Sequence, residues 1–247
     1  MKNAVIYHFA LILIIITFIS CENEGGSDDS RYRLLQIADN AAMENPFYIF
    51  EYDSKGKVVK IYHGEDIIDI EYNQVGKPVK ITGYGTKIME WNGNSCIISS
   101  YDRKEILNFN DKNQLESEVY LVKHDSQSDF DTLDVLTVSR IDNKNVKLIK
   151  EYYPIGSGGW EETFQFGEMY SPFKSIDVSI LMLTDISFGE WEIEFQNESN
   201  LIAFDEGGGF TSTINYDVEY GKYPVRAALK YSSNSEFEYV YFLYEKY

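Results

Sequence analysis

Tyr48-Ile-Phe-Glu-Tyr52-Asp-Ser-Lys-Gly56-Lys-Val-Val-Lys60-Ile61 is followed, twenty residues on, by Ile68-Asp-Ile-Glu-Tyr72-Asn-Gln-Val-Gly76-Lys-Pro-Val-Lys80-Ile81. Positions 48, 50 and 52, then 68, 70 and 72, are apolar or aromatic. That period of two marks a half-buried strand. Asp-x-x-Gly or Asn-x-x-Gly comes next, which suits a type I turn closed by a residue at positive φ, where glycine has no Cβ to clash. A second strand returns, with Val59 and Ile61, or Val79 and Ile81, expected inward and Lys60 or Lys80 outward. The unit is a β-hairpin, repeated.

Further copies lie downstream. Trp91-Asn-Gly93 carries a two-residue Asn-Gly turn signal at similar spacing. Phe109-Asn110 through Asn113, Ile141-Asp142 through Asn145, and Phe195 through Asn200 repeat the pattern with Asn at the last turn position, as the next most tolerant residue of positive φ. The turn residues expected from this reading are Gly56, Gly76, Gly93, Asn113, Asn145 and Asn200. Strands are expected at 115–123, 134–141, 146–153, 160–166 and 190–195. The run from Phe237 to Tyr244, apolar on both faces toward its end, reads as a central strand. Ser171-Pro172 suits the start of one short helix over 172–183, with a strand as the alternative. The fold class is therefore all-β: an antiparallel meander of tandem hairpins, forming a curled sheet or an open barrel in a single domain over 31–247.

The first twenty residues stand apart. Lys2 precedes a run from Ala10 to Ile19 that is apolar except for Thr17, and small or polar residues follow at Ser20 and Cys21. This is the pattern of a secretory signal peptide over 1–20. The apolar run is short of the roughly 20 residues that a spanning helix needs. Phe18-Ile19-Ser20-Cys21 resembles the lipobox of bacterial lipoproteins, which prefer Leu where Phe18 stands. That resemblance implies acylation of Cys21 and a membrane partner reached through its acyl chains. Glu22 to Ser30 holds no apolar residue and reads as a flexible acidic tether over 21–30. An acidic run behind the lipidated cysteine also resembles the surface-export signal of Bacteroidetes lipoproteins. Both the periplasmic and the outer face of the outer membrane remain open.

The Tyr-Asp-x-x-Gly-Lys-Val-x-Lys-Ile hairpins resemble the tyrosine–aspartate repeats of Rhs-type bacterial surface proteins. A closer resemblance is to a group of uncharacterised Bacteroidetes lipoproteins that combine a lipobox with such hairpins. Ser171-Pro172-Phe173 stands where that group has Asn-Pro-aromatic, and Tyr223-Pro-Val-Arg226 matches its terminal strand. The resemblance spans most of Arg31 to Tyr247. It implies an antiparallel sheet and a cell-envelope location, and it carries no activity or site.

Charge excludes several functions. The chain carries 40 acidic and 22 basic residues, a net charge of −18. Such a surface repels nucleic acid and anionic headgroups. With Cys21 acylated, Cys96 has no disulfide partner. Its alternation with Ile98 points to a buried, inert thiol. His63 and His124 are the histidines outside the leader, and neither sits in a nucleophile motif. His63 reads as a solvated turn residue. Asp125, Asp129, Asp131 and Asp134 supply oxygen ligands of the kind calcium takes, without the glycine and terminal glutamate of a calcium loop, so a solvated loop and no cofactor is the favoured reading.

Trp160 and Trp91 are the aromatics expected nearest the surface, as platforms for sugar rings, against the alternative of core packing. The functional expectation is a monomeric, lipid-anchored envelope protein with a binding or structural role toward a neutral glycan, a peptide or an envelope protein. The alternative is a glycan-acting hydrolase using two carboxylates that the sequence does not single out.

Overall fold

The computed structural model describes residues 32–123, 129–141, 145–154, 158–176, 199–205, 211–220, 222–231 and 236–247. Among them, strands follow one another as β1 (Tyr32–Ala38), β2 (Tyr48–Tyr52), β3 (Val58–His63), β4 (Asp66–Tyr72), β5 (Pro78–Thr82) and β6 (Thr86–Asn92). Next come β7 (Ser95–Ser99), β8 (Arg103–Phe109), β9 (Leu115–Val122), β10 (Asp131–Ile141) and β11 (Asn145–Tyr153). The last five are β12 (Gly158–Tyr170), β13 (Ser199–Asp205), β14 (Thr211–Tyr220), β15 (Tyr223–Tyr231) and β16 (Glu238–Lys246). Each pairs antiparallel with its sequence neighbours, and β1 pairs with β16 from Tyr32↔Lys246 to Ala38↔Tyr241. The barrel is closed. Closure goes beyond the expected curled sheet or open barrel because the two terminal strands satisfy each other's backbone groups and leave no edge.

The repeat turns form as their chemistry dictates. Gly56, Gly76 and Gly93 have φ of 79°, 81° and 61°, and Asn113 has φ of 57°. Asp53 Oδ1 accepts from the amides of Lys55 and Lys57 at 2.8 and 2.9 Å, and Asn73 and Asn110 cap their own turns in the same way. Asn145 and Asn200 differ from the turn role expected of them. Asn145 opens β11 and accepts from Ser199 N at 3.1 Å, while Asn200 is fully buried in β13 and accepts from Met169 N at 3.0 Å. Their side chains bridge strands rather than tolerate a left-handed backbone.

Each early hairpin also carries a bulge. Glu51 pairs with Lys60 but Tyr52 pairs with Val58, and Glu71 pairs with Lys80 but Tyr72 with Pro78. The extra residue shifts the phase, so Val58 and Pro78 are buried in place of the expected Val59 and Val79. Ile61 and Ile81 are buried as expected.

One ladder ties successive hairpins together. Tyr52 Oη donates to Leu34 O at 2.5 Å, Tyr72 Oη to Val58 O at 2.6 Å, and Trp91 Nε1 to Pro78 O at 2.6 Å. Over these rings sit Arg33, Lys57 and Lys77, at 4.4, 4.9 and 4.3 Å from the respective centroids. Lys57 and Lys77 then donate to the carbonyls of Gly76 and Gly93, at 2.7 and 2.5 Å. The lysine after each turn glycine thus fastens to the next turn. This is the physical content of the twenty-residue repeat.

The core occupies the barrel interior. Phe50, Ile61, Ile68, Ile70, Ile81, Met89, Cys96, Leu107 and Phe109 share the inward face from β2 to β8, and Val146, Ile149, Phe164, Leu201, Phe204, Ile214 and Leu229 continue it. Outward positions include Glu51, Lys60, Asp69, Glu71, Lys80, Glu90, Lys150 and Glu161, with ion pairs Lys80–Glu71 and Lys150–Glu161 bridging neighbouring strands at 2.6 and 2.5 Å. A membrane-spanning barrel needs an outward apolar band about 25 Å tall. Here an outward apolar row (Ile97, Ile106, Val119, Val135) runs across β7 to β10 and is extended by Leu121 on β9, while Ser95, Ser99, Lys104, Asn108, Ser117 and Thr137 flank it on the same face. No helix among the described residues is long and apolar enough to cross a membrane.

Residues 172–175 form turns rather than the start of the expected helix, and 177–198 lie outside the described residues. Phe173 and Ile176 are buried, with Phe173 edge-on to Phe242 at 6.2 Å, and Leu34 N donates to Ser175 Oγ at 3.1 Å. Docking of this short segment on β1 and β16 wins over local helix formation, which a costly nucleus disfavours in so few residues.

Candidate functional site

The strand register assembles a site on the inner wall of β8 to β12. Residues directly opposite in an antiparallel pair share a face. Leu107 of the core faces Glu118, Glu105 faces Tyr120, Tyr120 faces Asp134, Glu118 faces Leu136, Leu136 faces Glu151, and Glu151 faces Trp160. Four carboxylates from four consecutive strands therefore look inward. Glu118, Tyr120, Asp134, Leu136 and Glu151 line a cavity of about 270 Å³. It lies toward the end where strands are joined through 39–47, 64–65, 83–85 and 100–102, away from Tyr32.

Burial pushes the Glu118 carboxyl up to about 7, with the negative charges of Glu105 and Asp134 adding to the rise and Lys87 opposing it. Burial also raises Asp134, helped by Glu151 and Glu105. Trp160, about one-third exposed, donates its indole N–H to Glu151 Oε2. Gly159 beside it is required by close approach, since a Cβ there would stand 2.4 Å from the carbonyl oxygen of Glu151. A carboxyl that keeps its proton near neutrality, with further carboxylates and two aromatic rings around it, can donate a hydrogen bond or deliver a proton.

The residues singled out from the sequence divide. Trp160 belongs to this wall through Glu151. Trp91 does not: its indole serves the hairpin ladder, and its ring packs on Phe109 at 5.6 Å. Asp129 is exposed and Asp131 opens β10; Asp125 and Cys21 lie outside the described residues. Among the described residues no group of three or more His, Cys, Asp or Glu side chains is placed to hold a metal ion. Cys96 is buried, and burial pushes its thiol up to about 12. His63 ends β3 and stacks on Tyr48 at 4.6 Å, with Tyr84 Oη against its Nδ1, so it is an ordered rim residue rather than a solvated turn.

Sequence reasoning missed Glu105, Glu118 and Glu151, and it named Asp134 only as an oxygen ligand of the acidic loop, whereas Asp134 lines this cavity. Alternation read straight from Leu115 puts Ser117, Val119 and Leu121 inward. A register shift after the Phe109↔Leu115 pair reverses the phase, turning Glu118 and Tyr120 in and Val119 out. The available signal was a faint one: a glutamate two residues before a tyrosine, on the face of β9 that carries Glu116, Glu118, Tyr120 and Val122.

No family model matches the chain, and no curated protein matches it. Solved structures similar to it include a porin-like protein from Bacteroides vulgatus (11% identity, TM-score 0.41, covering 86% of this chain and 99% of that one). Another is a porin-like protein from Bacteroides uniformis (10% identity, TM-score 0.40, covering 87% and 97%). A third is the TcdB2-TccC3-Cdc42 structure (9% identity, TM-score 0.30), where the match covers 84% of this chain and 12% of that one.

Proposed function

We propose that this chain is an envelope protein held to the outer membrane through acylated Cys21, whose barrel captures a neutral glycan, a peptide or a partner protein. The observation that carries the reading is the cavity of Glu118, Tyr120, Asp134, Leu136 and Glu151, flanked by Trp160 on the inner wall. The cavity joins a leucine and a tyrosine to three carboxylates, so it offers polar partners on a concave surface, and concave sites are the usual places for ligands. The charged outer rows favour a barrel tethered by lipid over one embedded in it.

The test is a panel of neutral glycans and peptides incubated with the protein, analysed for both binding and products. Binding that weakens at least tenfold in Trp160→Ala, with no new reducing ends, supports capture. Full binding in Trp160→Ala refutes this cavity as the site. A second reading is favoured by one observation. Glu118 holds its proton near neutrality beside other carboxyls, as a general acid of a glycoside hydrolase does. Steady release of cleaved sugar, abolished in Glu118→Gln, would establish that reading instead.

A further inference from the structure

The outer wall of the barrel is not uniform. The outward row of Ile97, Ile106, Val119 and Val135 runs on to Tyr152, which pairs with Val135 on β11 and is 57% exposed. Outward positions beside the row carry hydroxyls, an amide, Leu121 and two lysines, Lys104 and Lys150, the second paired with Glu161 at 2.5 Å. No Asp or Glu stands among these positions. Exposed acids such as Glu90, Glu116 and Glu161 lie at the margins. Outward rows elsewhere are charged throughout, as where Glu51, Lys60 and Asp69 follow one another across β2 to β4. A chain of net charge −18 thus presents one acid-free, apolar face across β7 to β11.

We infer that this face is the interface of a homodimer, in which a second copy lays the same row against it. The inference uses the outer wall and stands apart from the capture reading. Two copies of a chain charged −18 repel each other over most of their surface. On this face they meet without opposed carboxylates, so charge selects it for self-association. Size agrees with that role. Strands about 4.8 Å apart and alternate residues about 6.8 Å apart make the patch roughly 24 Å by 20 Å. Two such patches amount to roughly 1,000 Å², where specific interfaces begin. Ile97, Ile106, Val119 and Val135 are β-branched, so docking costs them little side-chain freedom. Sheets stack face to face about 10 Å apart with their strands within about 30° of one another. Val119 is the middle residue of the row. A two-fold axis through the patch therefore sets Val119 against its own copy, whichever way the second row runs.

The experiment is disulfide trapping of the full chain in unfractionated, detergent-free lysate of the cells that express it. Under mild oxidation, Val119→Cys should give a linked dimer that carries two differently tagged copies. The comparison is Ile67→Cys, an outward position on β4 that is 47% exposed and so more open than half-buried Val119. The parent, whose Cys96 is buried, sets the background. Random collision traps the more open position more often. The dimer instead traps Val119→Cys about fivefold more, because a disulfide needs Cα atoms within about 7 Å of each other. Raising salt from about 0.1 to 1 M shortens the Debye length from about 10 to 3 Å and should increase that yield, since it screens the repulsion outside the face. Trapping at Val119 no greater than at Ile67, or a yield that falls with salt, overturns the dimer. So does trapping of Val119→Cys that survives the addition of Ile106→Lys, which places a charge within the row. A face that serves another protein or a lipid surface leaves Val119→Cys unlinked to itself, and that result also overturns the inference.

Discussion

Replacing Glu118 by Gln should stabilise the barrel, and only where the carboxylate would be charged. The side chain faces inward beside Leu136, and its pKa rises from an ordinary 4.5 to about 7, chiefly through burial. A raised carboxyl pKa means that the folded state holds the proton more tightly than the unfolded chain. Below pH 4.5 both states are protonated and the site is neutral in stability. Between 4.5 and 7 the unfolded chain ionises first, so stability falls as pH rises, and above 7 the penalty is constant. At about 1.36 kcal/mol per unit, the interval corresponds to roughly 3 kcal/mol. Gln has the same shape and no charge, so it removes the penalty without opening a cavity. Urea unfolding at pH 4.5 and pH 8.5 gives the check. The variant should match the parent within about 0.5 kcal/mol at the lower pH and exceed it by about 2–3 kcal/mol at the higher. Equal stabilities at pH 8.5 would refute an inward, desolvated Glu118, and a loss at both pH values would show that its carboxylate makes favourable contacts.

Three other perturbations address the fold and its anchor. Lys57→Met and Tyr72→Phe should each cost about 1 kcal/mol, through loss of the bonds to Gly76 O and Val58 O, and a double-mutant cycle of Lys57→Met with Tyr72→Leu, which removes the ring, should give about 0.5–1 kcal/mol of coupling from the cation over the ring. Strict additivity would remove the ladder from the account of the repeat. Gly159→Ala should cost about 1–3 kcal/mol and shift Trp160 emission, because the added methyl meets the Glu151 carbonyl across β11 and β12; unchanged melting and emission would contradict the close approach. Cys21→Ala should abolish acyl labelling and free the protein from the membrane fraction, whereas retention after detergent-free washing would point to an uncleaved helix.

The hairpin unit was legible in the sequence because every part of it is local. Alternation at 48, 50 and 52, an Asp or Asn that caps its own turn, and a glycine at positive φ need no distant residue to define them. Repetition of that unit established an antiparallel meander. Asn113 followed the same rule, and Asn145 and Asn200 did not, because their partners Ser199 and Met169 come from other strands. Composition likewise bounded the function without locating it, since 40 acids leave no single pair conspicuous.

What the tertiary structure decided was phase and closure. A strand with two apolar faces can turn either one inward, and a bulge of one residue chooses between them. The bulges in β3 and β5 put Val58 and Pro78 into the core, and the one at the start of β9 turned Glu118 and Tyr120 toward the cavity. Pairing of β1 with β16 then closed the barrel, on whose inner wall Glu118, Asp134 and Glu151 from three strands line one cavity. Sequence fixes the period of each strand, because side-chain alternation is a local property. Which face meets the core depends on partners up to two hundred residues away, as Arg33 and Glu245 show in closing the barrel with an ion pair at 2.7 Å.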